Sequence, residues 1–569
     1  MWNTVNGNGR VLKKGDPILA CSIFDSLRIS YYFCLLTNID FTMKKTIIIC
    51  AMALVIHSFS QQPGIKWWYD VNDMSFGNST VADVDSDGFP EIAFSCYRND
   101  SSLYVLNGED GTLLWKVNTG GCNDVAPAIF DVDQDGELEI VLPSSCVPVT
   151  YCFDAATGFI EWQVITHGSD SPPTIADIDS DGDFEILHGE FNGYVICIDG
   201  ATGDKIWQIT VDPDSWIQTA PVILDADSDG MLDFVVANWS FGSNHKIFAY
   251  RAHDHFLLWE SDLPGDVMYH GASTADLDND GLPELAIGSY DGHLYVLNAE
   301  DGSLYADFAF SNPGYIGAPT SIADINDDGL PEIVFFDWYK VGALTNTGEL
   351  LWSYNIPGYV SSFRGAALSD VNDDPYIDVV FGTGNGHLIA LNGNDGSVIW
   401  DVDLQAHFGS NEFDIDHGPV IADFDNDGFL DAFVVGGHAE YPAVQNNYGR
   451  AYAVSLENTG GPDWPMFRRD VRRTAYVPDS VPVSAGKLNS KTKPLIFPNP
   501  CQNKLTIIFR DDAGRVTITI SDPSGRVAYS GESSERTVRI NTAYLPAGVY
   551  YLRIGSDKLL FTEKIIRKR

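Results

Sequence analysis

Eight times between Asp83 and Asp431 the chain writes an acid ladder of the form Asp83-Val84-Asp85-Ser86-Asp87-Gly88-Phe89-Pro90-Glu91. The ladders start at Asp83, Asp131, Asp177, Asp225, Asp276, Asp324, Asp370 and Asp423, spaced 46 to 53 residues apart. A period of that length suits the blades of a propeller rather than a helical solenoid, so the repeating unit is a small antiparallel sheet.

Four short apolar runs fill each period. In the first they are Lys66–Val71, Ser79–Asp83, Glu91–Ser95 and Ser102–Asn107, each the length of a strand and too short for a helix. A turn follows the last run and leads to a tryptophan, as in Gly111 to Trp115, Gly158 to Trp162 and Gly396 to Trp400. Glycine supplies the positive φ that such turns need. Trp207, Trp259 and Trp352 continue the series and Tyr305 stands near that place in the fifth unit, which predicts one packing aromatic per blade.

At these residues the chain resembles FG-GAP or VCBS-repeat propellers, and its Gly-x-x-x-Trp turns resemble the docking motif of pyrroloquinoline-quinone-type propellers, over roughly residues 65 to 476. The resemblance implies an all-β, eight-bladed propeller of four-stranded blades over 61–476. The Trp run is then the outer strand D, the run entering the ladder is the inner strand A, and B and C lie between. The A–B turns, which hold the ladders, and the C–D turns share one face, while the variable D–A and B–C loops share the other. The ring closes either with Lys66–Val71 as strand D of the eighth blade or with the run around Trp464.

Calcium takes six to eight oxygen ligands at about 2.3 to 2.6 Å, which alternating carboxylates and a final acid can supply. The full set occurs in units one to five and eight: Asp83, Asp85, Asp87 and Glu91; Asp131, Asp133, Asp135 and Glu139; Asp177, Asp179, Asp181 and Glu185; Asp225, Asp227, Asp229 and Asp233; Asp276, Asp278, Asp280 and Glu284; Asp423, Asp425, Asp427 and Asp431. Unit six keeps Asp324, Asp328 and Glu332 but has Asn326 at the third position. Unit seven has Asn372, and Pro375 where the glycine belongs, so metal binding there is not expected to match the others. The pattern predicts six to eight structural calcium ions. Ladder acids number 30 and explain much of the net charge of −45.

Residues 43–60, with Lys44-Lys45 ahead of an apolar stretch and a small-residue ending, read as a secretory signal, and 1–42 as an extension upstream of the true start. No later segment is apolar enough to span a bilayer. After a linker at 477–493, the module 494–569 opens with Pro498-Asn499-Pro500, carries Leu545-Pro546-Ala547-Gly548-Val549-Tyr550 and ends in basic residues. It resembles the type IX secretion sorting domain, a small β-sandwich. That implies type IX machinery as a partner and a secreted or outer-membrane-surface location in a Bacteroidota-type bacterium. An oxidising destination permits disulfides, and Cys122 and Cys146 fall on the variable face of one unit.

The variable loops hold Trp216, Trp239, Tyr269, His270, Tyr315, Trp338, Tyr339, Tyr359, Arg364, His407, Phe408, His438 and Tyr441, with Phe241, Tyr290 and Phe363 nearby. Aromatics with polar neighbours suit sugars or protein partners. The expected role is therefore a monomeric, non-catalytic binding module for glycan or protein ligands. The rival is a polysaccharide lyase, since the architecture resembles calcium-bearing rhamnogalacturonan lyases at fold level. His270, Arg364, His407 and His438 would be its candidates, but only five lysines lie between 66 and 476 to hold an anionic polymer. No Cys-Cys pair supports a quinone dehydrogenase, and the charge speaks against nucleic acid.

Overall fold

The apolar runs flanking each ladder form strands in a computed structural model, which describes residues 63–409, 411–460, 462–470 and 472–474, and the strands with some of their connections within 495–568. The upstream extension 1–42, the signal 43–60 and the linker 477–493 lie outside the described residues.

After β1 (Gly64–Val71), the strands β2 (Thr80–Ala82), β3 (Glu91–Ser95), β4 (Ser102–Asn107) and β5 (Leu113–Asn118) form one antiparallel sheet in chain order, with the ladder in the β2–β3 turn. Seven more sheets repeat that order, beginning at the inner strands Ala128–Phe130, Thr174–Ala176, Val222–Leu224, Ser273–Ala275, Ser321–Ala323, Ala367–Ser369 and Val420–Ala422. The last takes its outer strand from the start of the chain: β1 pairs with Tyr448–Ser455, from Gly64 opposite Ser455 to Val71 opposite Gly449. Strand β2 lies beside both Ala128–Phe130 and Val420–Ala422, so the first and last sheets are neighbours.

Burial follows the sequence pattern. β3 and β4 are buried almost throughout, whereas β5 alternates. A middle strand covered on both faces by neighbouring sheets reads as a continuous apolar run, and an outer strand with one wet face reads as an alternating one. The core is accordingly a series of interfaces: one apolar cluster joins Val105 to Ile140 across sheets one and two, the next joins Val141 to Ile196 across sheets two and three.

The tryptophans fasten these interfaces. Trp67, Trp115, Trp162, Trp259 and Trp352 donate their indole N–H to the carbonyls of Gly108, Ala155, Gly200, Ala299 and Gly393 in the following sheet, at 2.6 to 2.8 Å. Each ring also covers the next turn glycine. A Cβ at Gly111 would stand 2.4 Å from the Trp67 ring, and its φ of +72° independently favours glycine. Where His255 replaces that glycine, Trp207 rests on the imidazole at 4.7 Å between centroids.

The run around Trp464 does not close the ring. Pro462–Trp464 instead adds to the free edge of the inner strand Ala367–Ser369, and the chain continues among the inner strands. There Ile421 donates its N–H to the Pro465 carbonyl and Ile175 to that of Arg472. Inner strands of three residues leave carbonyls ahead of them without a sheet partner, and two fully buried guanidinium groups meet these. Arg468 donates to the carbonyls of Ala272 and Pro221 at 3.1 and 2.9 Å. Arg473 donates to Pro127 and Ser79, both at 2.8 Å from Nη2, and to Phe467 at 2.7 Å. The plug within 462–474 thus ties sheets one, two, three, four, five, seven and eight to one another.

Within 495–568 a three-stranded sheet (Leu495–Phe497, Lys504–Ile508, Thr537–Asn541) and a four-stranded sheet (Val527–Ser533, Val516–Ser521, Gly548–Ser556, Leu559–Arg567) share one apolar cluster that includes Leu505, Ile507, Ile518 and Leu552.

Removing the guanidinium of Arg473 strands several buried carbonyls at once. Arg473→Leu is expected to lose at least about 3 kcal/mol of stability by chemical denaturation, a magnitude reserved for broken buried networks; a loss below about 1 kcal/mol would show that the plug is not a fastener.

Candidate functional site

All eight ladder turns share one backbone device. The fourth residue of each, from Ser86 and Gln134 to Asp373 and Asn426, has φ between 56° and 63°, and the seven glycines at the sixth position have φ between 87° and 100°. A Cβ on Gly88 would meet open space, so the glycine is required by conformation and not by crowding. The carboxylates fold inward on their own N–H groups: Gly88 donates to Asp83 at 3.2 Å, Asp87 to Asp85 at 3.1 Å and Val84 to Glu91 at 2.8 Å.

The last acid of each ladder begins strand B and is buried, with Glu91 and Glu139 each 1% exposed. Burial, reinforced by the neighbouring aspartates, pushes Glu91 up to about 7 and Glu139 and Glu332 up to about 8. In the first, second, third and fifth turns, oxygens of the first, third and last acids lie within 4.8 Å of one another; in the fourth they come from Asp225, Asp227 and Asp229. Asp131, Asp177 and Asp233 each keep a buried oxygen without a hydrogen-bond partner. Converging oxygens with unmet lone pairs fit a hard divalent cation.

The turns are not equivalent. The Lys66 ammonium, brought in by β1, sits 2.6 Å from Asp425 and 2.9 Å from Asp431 of the eighth ladder. Arg251 reaches Asp227 and Asp229 of the fourth at 2.9 and 3.6 Å. In the seventh, Asn372 and Asn392 amides both donate to Asp374, while Asn458 and Thr459 donate to Asp373. That turn meets Asp374 with protein amides, while Asp378 keeps a buried oxygen without a hydrogen-bond partner.

The opposite face carries a cavity of about 340 Å³, lined by Phe76, Tyr97, Asp124, Tyr269, Phe363, Arg364, Asp416, Ala439, Glu440, Tyr441 and Asn447. All come from D–A or B–C loops. Arg364 is 8% exposed and forms part of the lining. Its Nη1 stands 3.4 Å from His270 Nε2, its Nε has no hydrogen-bond partner, and its guanidinium lies 5.4 to 6.0 Å from the ring centroids of Tyr269, Phe363 and Phe76. His270 in turn abuts Phe467 of the plug. Asp124 accepts from Ser145 at 3.3 Å, and a disulfide between Cys122 and Cys146 joins the two loops that bear them. Next to it, Asp170 accepts from Gln218 at 3.0 Å and keeps Oδ1 bare. Burial, then the Asp170 carboxylate, pushes Asp124 up to about 8; burial also raises Asp416.

Of the residues expected on this face, Tyr269, Arg364 and Tyr441 line the cavity and His270 backs it. Trp239, Tyr315 and Trp338 join it through an aromatic chain: Trp239 on Tyr269 and Tyr290, Tyr290 on Tyr315, Tyr315 on Trp338 and Phe363, with centroids 4.3 to 6.1 Å apart. Trp216 packs in a separate group with Phe191 and Phe241, and Tyr339 pairs with Tyr359. His407, Phe408 and His438 form another group: His407 meets Trp68 and Tyr452, Phe408 stacks on Phe413 and Tyr448, and His438 pairs with Glu412. None of these three lines the cavity.

Phe76, Tyr97, Asp124, Asp416, Glu440 and Asn447 were not among the expected residues, although a signal for several is in the chain. Seven residues before each ladder stand Phe76, Asp124, Asp170, Gln218, Tyr269, Gly317, Phe363 and Asp416. This register turns the same position of each sheet toward the axis. Gly317 is the exception that makes room, since a Cβ there would lie 2.5 Å from the Phe363 ring.

A family model of pyrroloquinoline-quinone-type propeller repeats, described as outer membrane protein assembly factor BamB, matches residues 148–330 and 193–464, together more than half of the chain. The chain belongs to this propeller-repeat family. An FG-GAP-like repeat model matches residues 83–142 of the propeller, and a secretion system C-terminal sorting domain matches 495–568. The outer membrane protein assembly factor BamB of Yersinia pestis is 24% identical over 257 residues, covering 42% of this chain and 59% of that protein. The propeller therefore spans about three fifths of that curated relative. Among solved structures, the V. cholerae biofilm matrix protein Bap1 is 15% identical, with 73% of this chain and 96% of that chain covered at a TM-score of 0.51. Saccharomyces cerevisiae Sqt1 is 13% identical, with 70% and 100% covered at 0.50. At these identities the likeness to solved structures is one of fold.

A carboxyl whose folded value is raised supports the fold only while protonated: the contribution is whole below the ordinary value of 3.8 and is lost as pH climbs toward about 8. Asp124→Asn is therefore expected to melt with the parent near pH 4 and above it at pH 8. A difference in melting temperature that stays constant across that range would contradict the assignment.

Proposed function

We propose that this secreted propeller is an eight-bladed, calcium-stabilised binding module that holds glycan or protein ligands on its loop face without converting them. The observation that carries this is the division between the faces. One face repeats the same turn eight times; the other gathers dissimilar loops around a cavity with an aromatic approach. The two sheets of 495–568 form a β-sandwich that addresses the chain to type IX secretion machinery in a Bacteroidota-type bacterium, after removal of a signal at 43–60. The fold neighbour whose name places it in a biofilm matrix supports an extracellular binding role. The lyase alternative is the weaker reading, because of its four candidates only Arg364 and the His270 behind it meet at the cavity, while His407 and His438 stand outside it.

Calcium at the ladders neutralises clustered carboxylates, and the turns should rank accordingly. Among the described residues no lysine or arginine pairs with the ladder acids of the first, second, third and fifth turns, the fourth and eighth share theirs with Arg251 and Lys66, and the seventh has Asp374 met by two amides. Calorimetric titration of the chelated protein is expected to show five or more tight sites and a large rise in melting temperature. Lys66→Met is expected to strengthen one weak site. Unchanged melting after complete chelation would remove the metal from this account.

Binding itself is tested by glycan arrays and by pull-down from the native environment with the calcium-loaded chain. Capture is expected to fall when the loop-face residues Trp338 and Tyr441 are changed to alanine; flat results in both assays would sink the binding reading.

A further inference from the structure

The cavity combines groups that no single charged ligand satisfies. Asp124, Asp416 and Glu440 line it, and Asp170 adjoins Asp124, against one guanidinium, so an anionic group would meet carboxyl oxygens on most sides. A cation would face Arg364 in the wall and leave its buried, bare Nε unmet. What fits both is an uncharged group whose hydroxyls accept from the guanidinium and donate to the carboxylates. The remaining wall is aromatic: Phe76, Tyr269 and Phe363 surround the guanidinium, and Tyr441, 74% exposed, stands at the mouth. Such rings offer flat apolar faces to an apolar C–H surface. A cavity of about 340 Å³ is at the small end of the roughly 300–1,000 Å³ usual for ligand sites. Behind Arg364, His270 lies against Phe467 of the plug, so this side of the site is backed by packed protein.

We propose that this cavity binds the terminal residue of an uncharged glycan end-on, its hydroxyls shared between Arg364, Asp124 and Asp416 and one ring face resting on the aromatic wall. The inference rests on the binding reading above and narrows it to one ligand class and one place. The aromatic chain from Tyr269 through Trp239, Tyr290 and Tyr315 to Trp338 then supplies a path for the residues that follow the terminal one. The disulfide Cys122–Cys146 holds Asp124 and Ser145 in register at the wall.

The test titrates the full mature chain, calcium-loaded at pH 6, with methyl glycosides of glucose, galactose, mannose and N-acetylglucosamine. Glucuronate and glucosamine serve as anionic and cationic counterparts, and binding is read by calorimetry and saturation-transfer NMR. At least one uncharged glycoside is expected to bind at one site per chain, with its charged counterparts weaker by about tenfold or more. Asp416→Asn and the exposed-residue variant Tyr441→Ala are each expected to weaken it by about tenfold while cooperative unfolding is retained. Preference for glucuronate or glucosamine, indifference to both variants, or no glycoside binding at all would overturn the proposal. Positive arrays or pull-downs alongside any of those results would leave the broader binding reading standing, whereas flat results throughout would end both.

Discussion

Short inner strands impose the constraint on which this architecture turns. Three residues suffice to start a sheet, but they leave carbonyls just ahead of each strand without a sheet partner, and neighbouring hydroxyls such as Thr174, Ser273 and Ser321 serve only some of them. Water could serve them in an open channel. Here the chain returns after its last sheet and places Arg468 and Arg473 among them, each a planar group with several donors aimed at different carbonyls. The plug converts a hole into packed protein, and Phe467 on its flank supports His270, which stands behind Arg364. One wall of the loop-face cavity is thus backed by a segment that contributes no lining residue.

The two faces divide the electrostatics. On the ladder face, acids are clustered because each turn closes on its own N–H groups, and the buried last acid is raised by desolvation and by its neighbours. On the loop face, acids are brought together from different sheets, around one cation. Acids that read in the chain as one contribution to the net charge of −45 therefore include the parts of two unrelated devices.

Much of the ladder face was legible from residue order. The repeat period, the four runs per unit, the glycine at the sixth position and the Trp-on-glycine contacts are local or nearest-neighbour features, and the structure places them where the spacing implied. That Cys122 and Cys146 lie in loops of one face was legible for the same reason, whereas their pairing is read from the structure. The aromatic list was less discriminating: Tyr269, Arg364 and Tyr441 reach the cavity, while His407, Phe408 and His438 pack against residues of the eighth sheet, including Trp68 of β1. Residue type alone could not separate them: Tyr269 stands seven residues before its ladder, as Phe76, Asp124, Phe363 and Asp416 do, whereas Arg364 and Tyr441 reach the cavity from other loop positions.

By itself the sequence determined the unit: strand, acid turn, strand, strand, glycine turn, strand, repeated at a near-constant interval and followed by a sorting module. Each of those is set by φ/ψ preference, alternation and burial within some fifty residues. Only the tertiary structure decided that β1 and not Trp464 closes the last sheet, that Lys66 and Arg251 enter two of the acid turns, and that Asp124, Asp170, Arg364 and Asp416 meet around one cavity. These partners are drawn from sheets far apart in the chain, and what selects them is the geometry of a ring, in which equivalent positions converge on an axis that no single repeat contains.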